Sequence, residues 1–311
     1  MKLLILTLSI FMCFSCMYRD KPVENIDLLW ISYRNGNFDS NEIRIFSGEN
    51  PNIPIKAFYA EVDLNSSNLS VEVVSSNDKD LRESPSQFAK RLNACLVVNG
   101  GYFIMDEYPA KHVGLLKTRD ETISSPLISV LRKGKSYFTT RGTVGFNQNT
   151  VDIAWVSGDD SSLFTFNNSV KNKVGHPPAN LDFNKGNLWD IESAVSAGPV
   201  LVQDNKIFVT EEEEVFFGSK IPGIHPRTAI GYTDDNKLII LVVDGRQPSS
   251  RGLYLEELAQ IMVDLKCREA LNLDGGGSSA LVVNNQLINR PSGMLMEREV
   301  MSAIVVKCDE D

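Results

Sequence analysis

The fold is decided by residues 238–279, which read LIILVVDGRQPSSRGLYLEELAQIMVDLKCREALNLDGGGSS. The segment begins with the apolar run Leu238–Val243 and closes on a second apolar run, Ala270–Leu273. Between them, over Leu253–Cys267, leucine, alanine and methionine recur at the spacing of one helix face. This order predicts a strand–helix–strand unit near the C-terminus, whose two strands are parallel neighbours in one sheet.

Each strand of this unit is followed by an aspartate. Asp244 begins Asp244-Gly245-Arg246, and Asp274 lies within Asn272-Leu273-Asp274-Gly275-Gly276-Gly277-Ser278-Ser279. Parallel neighbours would place both carboxylates at the carboxyl edge of the sheet, where α/β architectures bind ligands. Two carboxylates there could serve as nucleophile and acid/base in glycoside cleavage, or could share a divalent cation. Three glycines in a row cost backbone entropy, so close approach of the backbone to a ligand explains them better than a plain loop.

Most of the remaining chain consists of short apolar runs between turn residues, which is typical of strands. Ile55–Leu64 and Leu69–Val74 alternate in strand fashion around a polar turn and predict a hairpin. Ser84-Pro85-Ser86-Gln87 combines a capping serine, an early proline and a glutamine three residues after the cap, so it predicts a helix. The predicted class is therefore α+β, with a mixed β-sheet core and a few packed helices. The further predicted strands are Ile26–Tyr33, Cys95–Val98, Val151–Val156, Val200–Val202, Ile207–Val209, Thr228–Tyr232, Leu281–Val283 and Ala303–Val306.

Two further segments are rich in polar residues. Residues 157–190 hold clusters of serine, asparagine, glycine and proline, and they predict a long surface excursion that is a lid, a binding loop or an inert insertion. Glu211–Glu214 is a run of carboxylates, for which a solvated charge run is favoured over a cation site.

The amino terminus has the pattern of an export signal. Lys2 precedes an almost unbroken apolar run, and Phe14-Ser15-Cys16 resembles a bacterial lipoprotein cleavage box. The sequence predicts a signal peptide over residues 1–15, acylation of Cys16, and an exported protein whose lipid anchor is its only attachment to the cell envelope; an ordinary secretory signal is the alternative. No segment is apolar for the roughly 20 residues that a spanning helix needs. Residues 16–50 are assigned to a tether and N-terminal segment, and residues 51–311 to one domain.

Three cysteines remain once Cys13 is removed with the signal and Cys16 is set aside: Cys95, Cys267 and Cys308. An odd number leaves at least one of them unpaired in a compartment that permits disulfides. All three adjoin apolar runs and lack a nearby Cys or His at ligand spacing, which favours buried structural thiols over a metal site or a nucleophile.

Composition, charge and missing motifs exclude several classes of protein. The 311 residues are 42% hydrophobic and 23% charged, ordinary globular values that exclude a disordered or coiled-coil chain. The 31 Lys and Arg against 40 Asp and Glu give a formal net charge of −9, which argues against nucleic acid as the main partner. An anionic ligand therefore needs a local basic pocket. The sequence contains no His-Glu-x-x-His, Cys-x-x-Cys pair or Gly-x-Ser-x-Gly, which argues against zinc hydrolases and serine esterases.

Two polar motifs lie where predicted strands end or begin. Asn99-Gly100-Gly101-Tyr102-Phe103 follows a buried strand, and its paired glycines permit a sharp turn with free N–H groups. Asn99 and Tyr102 suit the hydroxyls and the ring face of a sugar, with a plain turn as the alternative. His225-Pro226-Arg227-Thr228 opens a strand, where Arg227 can present its donors to a phosphate or carboxylate. A surface arginine and a structural turn histidine are the alternatives.

Taken together, these motifs resemble the phosphodiester glycosidase family. The matching stretches are Asn99–Phe103, Ala197-Gly198-Pro199, His225–Gly231, Asp244-Gly245-Arg246, Asn272–Ser279 and Arg298-Glu299-Val300 with Ala303, in the family's order. The resemblance implies a hydrolase that cleaves the bond between a sugar's anomeric carbon and a phosphodiester oxygen, with a carbohydrate phosphodiester as substrate. Tyr254 departs from the pattern, because similar sequences tend to carry threonine at this helix cap.

The resemblance and the side-chain chemistry together assign roles. Arg227, with Arg246 and the backbone amides of Gly275–Gly277, is expected to bind the phosphate. Asp274 and Asp244 are expected at the anomeric side as nucleophile or base, in either order. A phosphate monoester with a second pKa of about 6 is a good leaving group, so protonation matters less than in ordinary glycosidases. The other expected substrate contacts come from Asn99, Gly100, Gly101, Tyr102, His225, Asn272 and Ser278.

Two alternatives stand beside this hydrolase. One is a surface glycan-binding lipoprotein of the same fold without turnover, and the other is an enzyme acting on a different bond, such as a peptidoglycan-associated or exopolysaccharide phosphodiester. The presence of both aspartates and both arginines favours an enzyme. The sequence establishes no cofactor, leaves a divalent cation possible, and does not define an oligomeric state.

Overall fold

The structure is a computed structural model that describes residues 26–33, 42–148, 150–159, 161–293 and 296–308. The predicted signal peptide (1–15) and Cys16 lie outside the described residues, so export and acylation stay predictions. Within the described ranges, no helix is both long enough and apolar enough to cross a bilayer.

The described chain is dominated by strands, with two α-helices and two short 3-10 turns. The helices are α1 (Pro85–Leu92) and α2 (Leu255–Asp264), and the 3-10 turns are Phe183–Lys185 and Gly276–Ser278. The strands are β1 (Leu29–Ser32), β2 (Ile43–Glu49), β3 (Lys56–Asp63), β4 (Leu69–Ser75), β5 (Leu96–Asn99), β6 (Phe103–Ile104), β7 (Lys111–His112), β8 (Leu116–Lys117), β9 (Thr122–Ser124), β10 (Ser129–Arg132), β11 (Lys135–Phe138), β12 (Arg141–Asn147), β13 (Thr150–Gly158), β14 (Leu163–Phe166), β15 (Asn187–Leu188), β16 (Ser193–Ser196), β17 (Val200–Gln203), β18 (Lys206–Ile207), β19 (Arg227–Thr233), β20 (Lys237–Val243), β21 (Cys267–Asn272), β22 (Leu281–Val283), β23 (Gln286–Leu287) and β24 (Ser302–Cys308).

These strands form three large antiparallel sheets and two short ribbons. The eight-stranded sheet has the order β1-β2-β3-β20-β19-β21-β17-β18, the seven-stranded sheet β15-β14-β13-β12-β16-β8-β9, and the five-stranded sheet β23-β22-β5-β24-β4. The ribbons are β10-β11 and β6-β7. The architecture is β-dominated, and the predicted mixed sheet is wrong in the described part of the chain, because every strand pair there is antiparallel.

The strand–helix–strand unit is present, but its strands are not neighbours. β19 lies between β20 and β21 and pairs antiparallel with both. β20 and β21 therefore run in the same direction, as predicted, one strand apart. The reason is local. The turn at 234–236 joins β19 to β20 as a hairpin, so β19 takes the position beside β20 that β21 was predicted to take.

The predicted hairpin of Ile55–Leu64 with Leu69–Val74 is wrong. β3 pairs with β2 and β20 in the eight-stranded sheet, whereas β4 pairs with β24 in the five-stranded sheet. The polar turn between them carries the chain from one sheet to the other. Both strands still bury apolar side chains, such as Phe58 and Val71, in one core.

The main core lies between the sheets, where Phe58, Val71, Val144, Leu271 and Ile304 belong to one buried cluster. This cluster joins residues from all three large sheets, so the folded unit is held together by contacts between layers. The two helices cover separate smaller clusters on the outer faces of the sheets.

Both predicted helices form, with adjusted ends. In α1, Ser84 and Gln87 form the predicted capping box. α2 is shorter than Leu253–Cys267, because the backbone leaves the helical region at Lys266 with φ 66°. At its start, the Tyr254 amide donates to Oε2 of Glu257 at 2.9 Å, and Arg251 pairs with the same carboxylate at 2.8 Å. Glu257 thus accepts from the amide of the cap residue and joins the start of the helix to Arg251.

The eight-stranded sheet extends across the predicted domain boundary at residue 50. β2 pairs along its length with β3, and β1 pairs with β2. Leu29–Ser32 and Ile43–Glu49, within the segment assigned to 16–50, are therefore part of the same sheet as β3.

The cysteines divide into a bonded pair and one thiol. Cys95 and Cys308 form a disulfide that closes a loop of 213 residues in sequence. Cys267 is free and buried, as the odd count requires. The prediction of three buried structural thiols is correct only for Cys267.

Candidate active site

Four strand ends converge where the eight-stranded and five-stranded sheets meet. Arg227 at the start of β19 is opposite Val243 at the end of β20, and Ala229 is opposite Asn272 at the end of β21. Because β19 is antiparallel to both neighbours, its start lies at the same edge as their ends. Asn99, at the end of β5, reaches this edge through a hydrogen bond from Nδ2 to the carbonyl of Asp274 at 2.7 Å.

Asp274 is the half-buried carboxylate at the centre of this edge. Its Oδ1 accepts a hydrogen bond from the Gly275 amide at 2.9 Å. Burial raises the pKa of Asp274 to about 6, while the nearby Ser278 hydroxyl and the positive charges of Arg298 and Arg246 lower it. A carboxyl group with this pKa can exchange its proton near neutral pH, which suits a nucleophile or a base.

Two arginines lie against the glycines that follow Asp274. A Cβ added to Gly276 would lie 3.1 Å from Nη2 of Arg246, and one added to Gly277 would lie 2.6 Å from Nη2 of Arg298. Gly276 also has φ 64°, which favours glycine. The glycines therefore admit two guanidinium groups beside one carboxylate. Arg298 was not among the sequence-predicted site residues, although its motif formed part of the family resemblance.

The backbone amides of the glycine motifs are only partly free for a ligand. Gly275 donates to its neighbouring carboxylate and Gly276 donates to the Pro226 carbonyl at 2.9 Å. Among the described residues, the amide of Gly277 has no hydrogen-bond acceptor. The expectation of free amides at Gly100 and Gly101 is wrong, because Gly100 donates to the backbone carbonyl and Gly101 to the hydroxyl of Ser302.

Asp244 lies at the same edge as Asp274, but its carboxylate is bound within the protein. Its exposed fraction is 3%. Oδ1 accepts from Nδ2 of Asn289 at 2.9 Å and from the amide of Arg290 at 3.0 Å. Burial raises its pKa, and these hydrogen bonds lower it. Asp244 therefore joins the end of β20 to the segment after β23, and nothing in its contacts presents it to a substrate.

Arg227 is 2% exposed and uses its side chain to hold backbone. Nε donates to the carbonyl of Leu253 at 2.9 Å, and Nη2 donates to the carbonyls of Ile221 and Gly223. Burial lowers its pKa to about 10. The fork of donors that the sequence predicted for a phosphate is thus largely engaged by the loop at 221–223.

Asn99 is fully buried, and its amide joins three segments. Besides the Asp274 carbonyl, Oδ1 accepts from the hydroxyl of Thr228 at 2.8 Å and from the amide of Ala280 at 3.2 Å. These contacts fix the backbone on both sides of the triple glycine. Asn99 accordingly positions Asp274 rather than facing a sugar in this conformation.

Tyr102 and Asn272 form a second hydrogen-bonded pair beside Asp274. The Tyr102 hydroxyl donates to the Gly198 carbonyl and accepts from Nδ2 of Asn272, both at 2.8 Å. Burial and the negative charge of Asp274 raise the pKa of Tyr102, so its hydroxyl stays protonated at neutral pH. The structure therefore brings two of the expected substrate-contacting residues, Tyr102 and Asn272, together beside Asp274.

His225 acts on the site through Arg246. Its Nε2 lies 2.6 Å from the carbonyl of Lys220, and its Nδ1 lies 3.1 Å from Nη2 of Arg246. The carbonyl requires a proton on Nε2, so Nδ1 is the acceptor and the ring is neutral. Burial lowers the pKa of His225, in agreement with this state. The structural role that sequence reasoning gave as the alternative for His225 fits these contacts.

Glu214 is fully buried, so the prediction of a solvated acidic run is wrong for its last residue. Its carboxylate accepts hydrogen bonds from the amides of Gly142 (2.8 Å) and Val200 (2.9 Å), from Nε1 of Trp155 (3.1 Å) and from the hydroxyl of Thr210 (2.6 Å). These donors belong to separate strands and to the turn before Glu214. The apolar residues that follow it, beginning at Val215, were the one sequence signal of this burial.

Replacement of Glu214 by glutamine is expected to lower the free energy of unfolding by about 3 kcal/mol, as for leaving buried donors without their charged acceptor. The variant removes the charge that faces Arg141 and turns an NH2 group toward donors that need an acceptor. Chemical denaturation measures the change. Glu213→Gln, in the same run, is the matched control and is expected to stay within about 0.5 kcal/mol. Equal effects of the two variants would contradict this account of Glu214.

Among the described residues, no three His, Cys, Asp or Glu side chains lie close enough together to hold a metal ion. The two aspartates of the edge also titrate in separate surroundings. The pKa of Asp274 responds to Ser278 and Arg298, and that of Asp244 responds to Asn289 and the Arg290 amide.

Comparison with known proteins places these residues in a family context. The model of the phosphodiester glycosidase family matches residues 93–307, a range that contains every site residue described above. The N-acetylglucosamine-1-phosphodiester alpha-N-acetylglucosaminidase of Bos taurus is 34% identical over 109 residues, which are 34% of this chain and 20% of that protein. The SPbeta prophage-derived protein YomE of Bacillus subtilis is 37% identical over 87 residues, or 28% of this chain and 13% of YomE.

The fold has a counterpart among solved structures. The catalytic domain of zebrafish N-acetylglucosamine-1-phosphodiester alpha-N-acetylglucosaminidase superposes with a TM-score of 0.60 at 20% identity, covering 91% of this chain and 88% of that one. At this identity the match shows the shared fold. The chain thus matches this solved domain nearly end to end, while it matches at most 20% of the length of the full curated relatives named here.

Proposed function

The chain belongs to the phosphodiester glycosidase family, and we propose that it is a hydrolase that cleaves the glycosidic bond of a sugar-1-phosphodiester. The observation that carries this proposal is the half-buried Asp274 carboxylate with Arg246 and Arg298 beside it at the triple glycine. The name of the bovine relative describes action on a sugar-1-phosphodiester, which has the same two chemical parts: an anomeric carbon and a phosphate.

The arrangement suits the chemistry of that bond. Cleavage at the anomeric carbon expels a phosphate monoester, and two guanidinium groups can stabilise the negative charge that grows on its oxygens. Asp274 can attack the anomeric carbon or activate a water molecule. No second carboxylic acid is needed to protonate the leaving group, because the monoester already has a second pKa of about 6. This agrees with the enclosed position of Asp244.

We accordingly revise the roles of three residues. Asp274 stays the proposed nucleophile or base. The phosphate is assigned to Arg246, Arg298 and the amide of Gly277, in place of Arg227. Asp244 and Arg227 become positioning residues, since their polar atoms are bonded within the protein.

The proposal is tested by incubating the purified protein with a panel of sugar-1-phosphodiesters and measuring released reducing sugar, with and without a chelator. We expect sugar release that persists in the chelator. Tight binding of the panel without release would favour the alternative of a glycan-binding protein of the same fold.

Activity is expected to depend on pH through Asp274. If the ionised carboxylate is the nucleophile or base, kcat/KM falls about tenfold per pH unit below about pH 6 and levels off above it. Initial rates from pH 4.5 to 8 give the profile.

The native state favours the protonated form of Asp274, so the stability that this carboxyl group contributes is greatest below about pH 4 and is lost as the pH rises through about 6.

The control for this profile is His225, the other titratable group near Arg246. His225→Asn is expected to leave the inflection near pH 6 in place. An inflection that disappears in this variant would assign the ionisation to the imidazole and contradict the role of Asp274.

We further propose that the protein acts at the cell envelope on a glycan or exopolysaccharide phosphodiester, anchored by acylated Cys16. The sequence Phe14-Ser15-Cys16 and the polar residues after it support this proposal. Cys16→Ala, expressed in a bacterial host that processes lipoproteins, is expected to move the protein from the membrane fraction to the soluble fraction. Unchanged partitioning would contradict the lipid anchor and leave the ordinary secretory signal.

A further inference from the structure

Arg141 is another buried cation near the site, and none of the roles assigned above involves it. Arg141 begins β12, and its exposed fraction is 5%. Its guanidinium carbon lies 4.2 Å from the centre of the Phe216 ring, which holds the group by a cation–π contact. Within the described part of the chain, Nη1 makes no hydrogen bond. A buried guanidinium donor without an acceptor is costly, so this position favours an anion.

The buried Glu214 neutralises part of this charge without serving as that acceptor. Its two oxygens receive hydrogen bonds from backbone amides and from Trp155 and Thr210. Burial lowers the pKa of Arg141, and the charge of Glu214 raises it. Because arginine is not deprotonated in proteins, the guanidinium is charged, and its Nη1 remains available as a donor.

An unpaired acceptor lies beside Tyr102, whose ring is close to that of Phe216. Asn272 is 1% exposed, and within the described residues its Oδ1 has no hydrogen-bond donor. Its Nδ2 is bonded to the Tyr102 hydroxyl. The Tyr102 ring lies 6.0 Å from the Phe216 ring that carries Arg141. The free donor is therefore next to Phe216 and the free acceptor is next to Tyr102. Asn272 precedes Asp274 by two residues in the sequence.

We propose that Arg141 binds an anionic substituent on the sugar of the substrate, a carboxylate or a phosphoryl group, while Oδ1 of Asn272 accepts a hydrogen bond from a neighbouring sugar hydroxyl. The inference rests on the proposed function. Arg246 and Arg298 adjoin the triple glycine and take the phosphate of the bond that breaks. Arg141 comes from the seven-stranded sheet, and its unpaired Nη1 is available for a second anion. A planar guanidinium suits two oxygens of one acidic group.

Substrate preference tests this inference. The probes are three phosphodiesters with one leaving group: a neutral hexose, the matching uronic acid and the matching hexose 6-phosphate. The wild type is expected to favour at least one acidic sugar by about tenfold or more in kcat/KM, as for a charge-assisted hydrogen bond. Arg141→Gln is expected to lose that preference while its rate on the neutral sugar changes less than about threefold. The two acidic probes distinguish a carboxylate from a phosphoryl group.

Equal losses on acidic and neutral sugars in Arg141→Gln, or a preference that survives the substitution, would overturn the inference. So would a wild type without any preference, which is the result expected if Nη1 and Oδ1 are bridged by a buried water molecule. Arg141→Lys guards against a variant that fails to fold, because it keeps the charge beside Glu214. It is expected to melt close to the wild type and to lose most of the preference with the planar fork.

Binding without turnover separates this inference from the proposed function. Calorimetric titration of the wild type with glucuronate, glucose 6-phosphate and glucose measures affinity for the sugar alone. Acid-sugar binding that is lost in Arg141→Gln supports the inference even if no phosphodiester is hydrolysed, in which case the proposed function fails. Phosphodiester hydrolysis with equal binding of acidic and neutral sugars overturns the inference and leaves the proposed function standing.

Discussion

Replacement of Asp274 by asparagine is expected to lower kcat on an activated sugar phosphodiester at least about 100-fold, the low end of what a positioned acid/base group supplies. The substitution keeps the shape of the side chain and its acceptor for the Gly275 amide, and it removes the charge. Because burial disfavours that charge, thermal stability should change little or rise. Steady-state kinetics with a melting curve on the same sample measures both.

The matched variant for this prediction is Asp244→Asn, at the end of the neighbouring β20 strand. Its carboxylate holds the segment that contains Asn289, so the main expected effect is lower stability. Residual activity per folded molecule should exceed that of Asp274→Asn by at least about tenfold. If Asp274→Asn keeps nearly full activity, or if the two variants lose kcat alike while both stay folded, the assignment of Asp274 as sole carboxylate at the anomeric carbon is wrong.

Arg298→Gln is expected to lower kcat/KM for phosphodiesters by about 100-fold and for aryl glycosides of the same sugar by less than about threefold. A charge-assisted hydrogen bond to phosphate contributes about 1.5–3 kcal/mol, and an aryl leaving group offers no phosphate to bind. Loss of Arg298 also raises the pKa of Asp274, so the rates should be compared at pH 8, where that carboxyl is ionised.

Two other arginines serve as controls for Arg298. Arg268 lies at the opposite end of β21 and pairs with Asp234 at 3.2 Å, so Arg268→Gln should leave both rates unchanged. Arg227→Lys should lower stability and reduce both rates together, because Arg227 holds the loop at 221–223. A selective phosphodiester loss in Arg227→Lys, with none in Arg298→Gln, would restore the phosphate role to Arg227.

The sequence was sufficient to locate the edge that holds the candidate site because the signals there are local. The apolar runs before Asp244 and Asp274 became β20 and β21, and the direction of both strands was predicted correctly. The capping residues around Ser84 likewise identified α1. Signals of this kind depend on a few adjacent residues, so no knowledge of the rest of the fold is needed to interpret them.

Strand partners could not be predicted in the same way. β20 is buried on both faces, and such a strand has no alternating pattern that selects one neighbour over another. The turn between β3 and β4 looks in sequence like a hairpin turn, although it connects two sheets. Both errors concern pairing between distant segments, which depends on how the whole core packs.

The function of polar residues at strand ends also escaped local reasoning. Asn99, Asp244 and Arg227 have the residue types of ligand-binding groups, yet their hydrogen bonds go to the protein itself. Arg141 and Glu214 were missed because an arginine and an acidic run usually mark solvent-exposed positions. Only the packing of several strands around them shows that they are buried.

The position of bond cleavage tests the central claim most directly. The purified protein is incubated with a sugar-1-phosphodiester in water enriched in ¹⁸O, and the released phosphate monoester is analysed by mass spectrometry. Attack at the anomeric carbon predicts free sugar and a phosphate monoester that carries no ¹⁸O. Incorporation of ¹⁸O into the phosphate, or release of sugar 1-phosphate, would show cleavage at phosphorus and contradict a glycosidase centred on Asp274.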